Sequence, residues 1–85
     1  MEYIHWRVDA TSAGTAIIQL RGVECDVIIL DRTNFDRFRR RSSYNYVGGH
    51  FKRSPARLPI TGKGEWYVVV IPGPGGKVEA SLTFA

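Results

Sequence analysis

Cysteine occurs once in the 85 residues, as Cys25, so no internal disulfide can form and no covalent staple supports this small chain. Long apolar runs are missing as well. The run "YVVVI", even with the adjoining Trp66, falls far short of the ~20 residues a membrane-spanning helix needs. The opening "MEYIHWRVD" has an acid at position 2 and no apolar stretch, so it is not expected to act as a secretory signal. Repeats, low-complexity tracts and long linkers are lacking. These absences lead us to expect one domain over residues 1–85, in a reducing, cytoplasmic setting and away from membranes, with a single modest core.

Acids are scarce in one place. Between Arg32 and Arg57 stand eight of the twelve cations, against Asp36 alone. The rest of the chain is net acidic, although the whole carries a formal charge of +4. Such segregation concentrates positive potential on one stretch, either as a solvated face or as a docking surface for anions. The overall balance, 44% apolar and 24% charged, is that of an ordinary globular chain.

What is plentiful is alternation with a period of two. "KVEASLTF" places Val78, Ala80, Leu82 and Phe84 on one face and polar residues on the other, as in a half-buried strand. In "GEWYVVVI" both parities are apolar, which predicts a central strand or one covered by a helix or a partner. "YIHWRV", "GTAIIQLR" and "CDVIILD" read as further strands. The short "GVE" between the last two predicts a hairpin, as does "PGPGG" before the final strand. "PGPGG" lacks the Lys-Ser/Thr and the following helix of a phosphate-binding loop.

One segment, "DRTNFDRFRRRSS", breaks the period. Thr33 with Asp36 three residues on suggests a helix start, and Phe35 and Phe38 share one side of about two turns, near residues 34–41. Anchoring by these phenylalanines would push Arg37, Arg39, Arg40 and Arg41 outward. In "YNYVGGHFKRSP", the tyrosines are expected in a strand that packs, Gly48-Gly49 at its bend, and Lys52-Arg53 on an edge segment that tolerates proline. The expected fold class is all-β: a small antiparallel sandwich or barrel of six to seven strands with one short helix.

The order "NF-x-x-F", then "SYNYVGGHFKRSPARLPITGKGEWYVVV", then a glycine-rich turn and a final strand, resembles a bacterial family of small β-rich domains. That family is known as domain of unknown function eighteen-eighty-three. The pattern is carried by Asn34-Phe35, Phe38, Tyr44, Tyr46, Gly48-Gly49, Ser54-Pro55, Pro59 and Gly64-x-Trp66, and spans about Gly14 to Phe84. The resemblance implies a compact β-rich fold and no established activity. It also implies relatives that stand alone or are joined to signalling domains of the TIR type, hence a binding or sensing role. Where that family pattern commonly has glycine after the aromatic pair, this chain has "RRRSS".

No catalytic constellation assembles. His5 and His50 are distant in sequence and neither has metal-ligand spacing. Cys25 reads as an inert core or edge residue, with a Cys-His pair unsupported by any local signature. Glu24, Asp26 and Asp31 cluster near one strand, where acids keep an edge solvated. We therefore expect no enzyme, no metal and no cofactor. The first functional expectation is a non-catalytic binding or sensing module for a protein partner or small ligand. Its candidate residues are Arg37, Arg39, Arg40, Arg41, His50, Lys52, Arg53 and, on the over-apolar strand, Tyr67. The alternative is nucleic-acid or other polyanion binding through the same cations, with Tyr44, Tyr46 and Phe51 for stacking.

Overall fold

The computed structural model describes residues 2–85. Seven strands and one helix follow in the order β1 (Ile4–Ala10), β2 (Gly14–Gly22), β3 (Cys25–Asp31), α1 (Arg32–Arg39), β4 (Val47–Phe51), β5 (Ala56–Ile60), β6 (Gly64–Pro72) and β7 (Val78–Phe84). They form two antiparallel sheets, one ordered β1-β6-β3-β4 and the other β5-β2-β7. The architecture is a small all-β sandwich with one short helix.

The alternating parity of each strand decides what fills it. Ala16 and Ile18 of β2, Cys25, Val27 and Ile29 of β3, Ala56, Leu58 and Ile60 of β5, and Val68 and Val70 of β6 meet between the sheets. Trp66, Leu82, Val78 and Phe51 close this layer from its margins. The opposite parity of β3 and β6 makes a second layer. There Ile28, Leu30 and Val69 lie beneath Phe35 and Phe38 of α1, with Tyr3, Tyr44, Tyr67 and Ile71 around them. The double apolarity of β6 thus has both expected causes: it runs between β1 and β3, and a helix covers it.

Neither predicted hairpin forms. β2 and β3 lie in different sheets, as do β6 and β7. A hairpin across "GVE" would join these strands edge to edge, whereas here they face each other across the core. The two crossing loops instead bond to one another. The Val23 N–H donates to the Lys77 carbonyl at 3.2 Å, and the Gly73 N–H to the Glu24 carbonyl at 3.1 Å. Gly76 permits this contact, because a Cβ there would lie 2.4 Å from Val23 Cγ2.

The helix begins earlier than Thr33 and Asp36 suggest. Asp31, extended at the end of β3, is the cap, its carboxylate accepting the Asn34 N–H at 2.8 Å. It ends in a two-bond closure: Ser42 N–H to the Arg37 carbonyl at 2.9 Å, and Arg41 N–H to the Phe38 carbonyl at 3.1 Å. This is a Schellman motif, whose left-handed position usually holds glycine. Here it holds Arg41, at φ 62°.

Candidate functional site

The site grows out of how α1 is fastened. Phe35 stacks on Tyr67 at 4.1 Å with the rings 4° from parallel. Phe38 meets Tyr3 and Tyr44 edge-on at 5.1 and 5.3 Å. With the aromatic side committed to the sheet, Arg37, Arg39, Arg40 and Arg41 are exposed, as the anchoring argument expects. Arg39 folds back so that its guanidinium lies 5.7 Å from the Phe35 ring centre, within cation–π range. Among the described residues, none of these four has an ion pair, and neither do Lys52, Arg53 and Arg57; only Arg32 of that basic stretch reaches a carboxylate, Glu65 at 3.9 Å.

The segment after the helix is not a strand. Residues 42–46 run without regular pairing, and β4 begins at Val47. The expected packed strand of Tyr44 and Tyr46 is therefore corrected. Tyr44 is half-buried beneath Phe38, whereas Tyr46 is 53% exposed and Val47 41% exposed. Asn34, absent from the candidate residues above, holds this segment. Asn34 accepts the Asn45 N–H through Oδ1 at 2.9 Å while its Nδ2 donates to Asp31 at 2.9 Å. The only available signal was its place beside Phe35.

Gly48-Gly49 lies inside β4 rather than at a bend before it. Gly48 has φ 129°, and a Cβ there would fall 2.1 Å from the Val27 carbonyl oxygen, so the edge strand hugs β3 only because this side chain is missing. Across the ladder His50 sits opposite Asp26. Its Nδ1 lies 2.9 Å from Asp26 Oδ1 and its Nε2 3.2 Å from Glu24 Oε2. A neutral imidazole has one N–H, so satisfying both carboxylates requires the imidazolium. The hydrogen bond to Asp26, then that to Glu24, accordingly raises the His50 pKa above its ordinary 6.5. Asp26, Tyr44, Tyr46, His50 and Ile71 line a hollow of about 150 Å³ at this point.

Tyr67 is elsewhere. Its ring is covered by Phe35, and its hydroxyl donates to Glu65, which also pairs with Arg7 at 3.1 Å. That hydrogen bond, with Arg7 and Arg32, holds the Glu65 carboxyl below its usual range, and it pushes the Tyr67 phenol up. The structure thus groups Arg37–Arg41 with Tyr44, Tyr46 and the β4 edge, and leaves Tyr67 in a separate network. Phe51 is half-buried against the inter-sheet core. Cys25 is buried, and burial followed by the nearby Asp26 carboxylate pushes its thiol up, away from the thiolate a nucleophile needs. Among the described residues no group of three or more His, Cys, Asp or Glu is arranged to hold a metal, and no helix is long and apolar enough to cross a membrane. A larger hollow, about 590 Å³, lies away from this chemistry, between the starts of β1 and β7 beside Tyr3, Pro72 and Lys77.

The family model described as Domain of unknown function (DUF1883) matches residues 1–83. The chain belongs to that family. No curated protein and no solved structure matches it. Several residues of the DUF1883 resemblance spend their side chains on the fold. Asn34 fixes Asn45, Phe35 and Phe38 seat the helix, and Trp66 Nε1 donates to the Gly62 carbonyl at 2.9 Å. Ser54 Oγ accepts the Leu20 N–H at 2.8 Å, just past the end of the β2–β5 ladder.

Proposed function

We propose that this chain is a non-catalytic binding module that docks an acidic protein partner, through the helix C-terminal end and the stretch from Tyr44 to Arg53. One observation carries the reading. Among the described residues, Arg37, Arg39, Arg40, Arg41, Lys52 and Arg53 are exposed without ion pairs, and Tyr46 and Val47, between them in the chain, are exposed as well. Arginine and tyrosine together supply directed charge and rigid contact area, the usual anchors of an interface. The buried Cys25 and the doubly engaged His50 support a role without chemistry. An unpaired thiol also suits the cytoplasm, where we place the protein.

The exposed Tyr46 among cations equally favours a second reading, stacking of single-stranded nucleic acid. Titration of the folded domain with polyglutamate and with a single-stranded oligonucleotide separates the two. The first reading expects saturable polyglutamate binding that weakens with salt and is lost in the double variant Arg39→Glu/Arg40→Glu. Stronger oligonucleotide binding would favour the second reading. Absence of binding to either at low salt would end both.

A further inference from the structure

β4 carries backbone groups that no neighbouring strand satisfies. It ends its sheet and pairs with β3 alone, so half of its N–H and C=O groups point outward along one side. β1, β5 and β7 are edge strands too, but β4 differs from them in three ways. Gly48 and Gly49 leave its backbone little screened by side chains. Exposed cations bracket it in the chain more densely than β5, with Arg39, Arg40 and Arg41 before it and Lys52 and Arg53 after, whereas Lys63 alone follows β5. The residues leading into it, Tyr46 and Val47, are 53% and 41% exposed. By contrast, β5 contains Pro59, which has no N–H to offer, β1 sets Arg7 against Asp9, and β7 exposes Glu79.

We propose that an extended acidic peptide adds to the free side of β4 as a fifth strand of the four-stranded sheet. This rests on the acidic-partner reading above and names the form that partner takes. Strand addition supplies affinity through main-chain hydrogen bonds, which the free edge provides, and the flanking cations select charge. Two copies of this chain pairing through β4 would bring like-charged stretches together, so self-association is opposed. Nucleic acid satisfies the cations but not the strand backbone. Asp26 and Glu24, held by His50 beside the strand, repel acids at the peptide's centre. The fitting ligand therefore carries its acids at both ends, with β-prone uncharged residues between.

The test uses the intact chain and a short peptide with glutamates at both ends and alternating valine and threonine between. Its counterpart has alternate backbone nitrogens methylated, which removes strand hydrogen bonds and leaves the charge unchanged. Strand addition expects the methylated peptide to bind roughly tenfold or more weakly. It also expects slowed hydrogen exchange at β4 amides with the unmodified peptide alone. Equal binding of both peptides without β4 protection would overturn strand addition and leave acidic docking intact. Binding of polyglutamate but of neither peptide would do the same. Failure of all three ligands would remove both claims, and oligonucleotide binding that outcompetes the peptide would assign the surface to nucleic acid.

Discussion

Arg41 occupies a backbone conformation that disfavours every residue with a Cβ, at φ 62°. Glycine there would close the same Schellman motif without that cost. Arg41→Gly is therefore expected to stabilise the domain by about 0.5–1 kcal/mol in denaturant unfolding. An unchanged or lower midpoint would show that Arg41 makes a compensating contact. His50 provides a second residue-level expectation. Its folded pKa lies above the unfolded value, so its contribution to stability is complete below about pH 6.5 and is lost as pH rises through the folded value. NMR titration should place the His50 midpoint above 6.5, and Asp26→Asn should lower it, because the bond to Asp26 is the largest cause. A midpoint unmoved by that substitution would place the pair apart in solution. The shared parity of Glu24 and Asp26 was legible, but the ring that joins them required knowing that β4 lies beside β3.

At the scale of elements, Phe38 helps seat α1 and Asn34 ties the segment that leads into β4. Phe38→Ala removes the ring that touches both Tyr3 and Tyr44, and should cost about 3–5 kcal/mol. In so small a domain that is enough to unfold most molecules at modest temperature, readable by circular dichroism. Asn34→Ala should cost about 1 kcal/mol and speed exchange of the Asn45 amide while the strands stay intact. Strand identity was readable in "KVEASLTF" and "GEWYVVVI", because alternation is a local consequence of a half-buried or covered sheet. The pairing was not. Gly- and Pro-rich turns mark a reversal of direction but do not say which sheet the chain enters next, so "GVE" and "PGPGG" read as hairpins. The true helix start was obscured because Asp31 serves at once as the last residue of β3 and as the cap.

Across the whole molecule, charge and packing divide the surface. The core between the sheets and the layer under α1 consume nearly every large apolar side chain, including the Tyr67 face that first suggested docking. What they leave outward includes Arg37, Arg39, Arg40 and Arg41, whose outward direction follows from the seating of Phe35 and Phe38. That much of the candidate site was visible in the order of residues. The exposure of Tyr46 and the open edge of β4 were not, since both follow from long-range register. Docking of an acidic partner on this face can be followed residue by residue, by NMR during polyglutamate titration. Salt-sensitive shifts are expected to run from Arg37 to Arg53, with the hollow between β1 and β7 silent. Shifts centred on Tyr3, Pro72 and Lys77 instead, or no shifts at low salt, would contradict it.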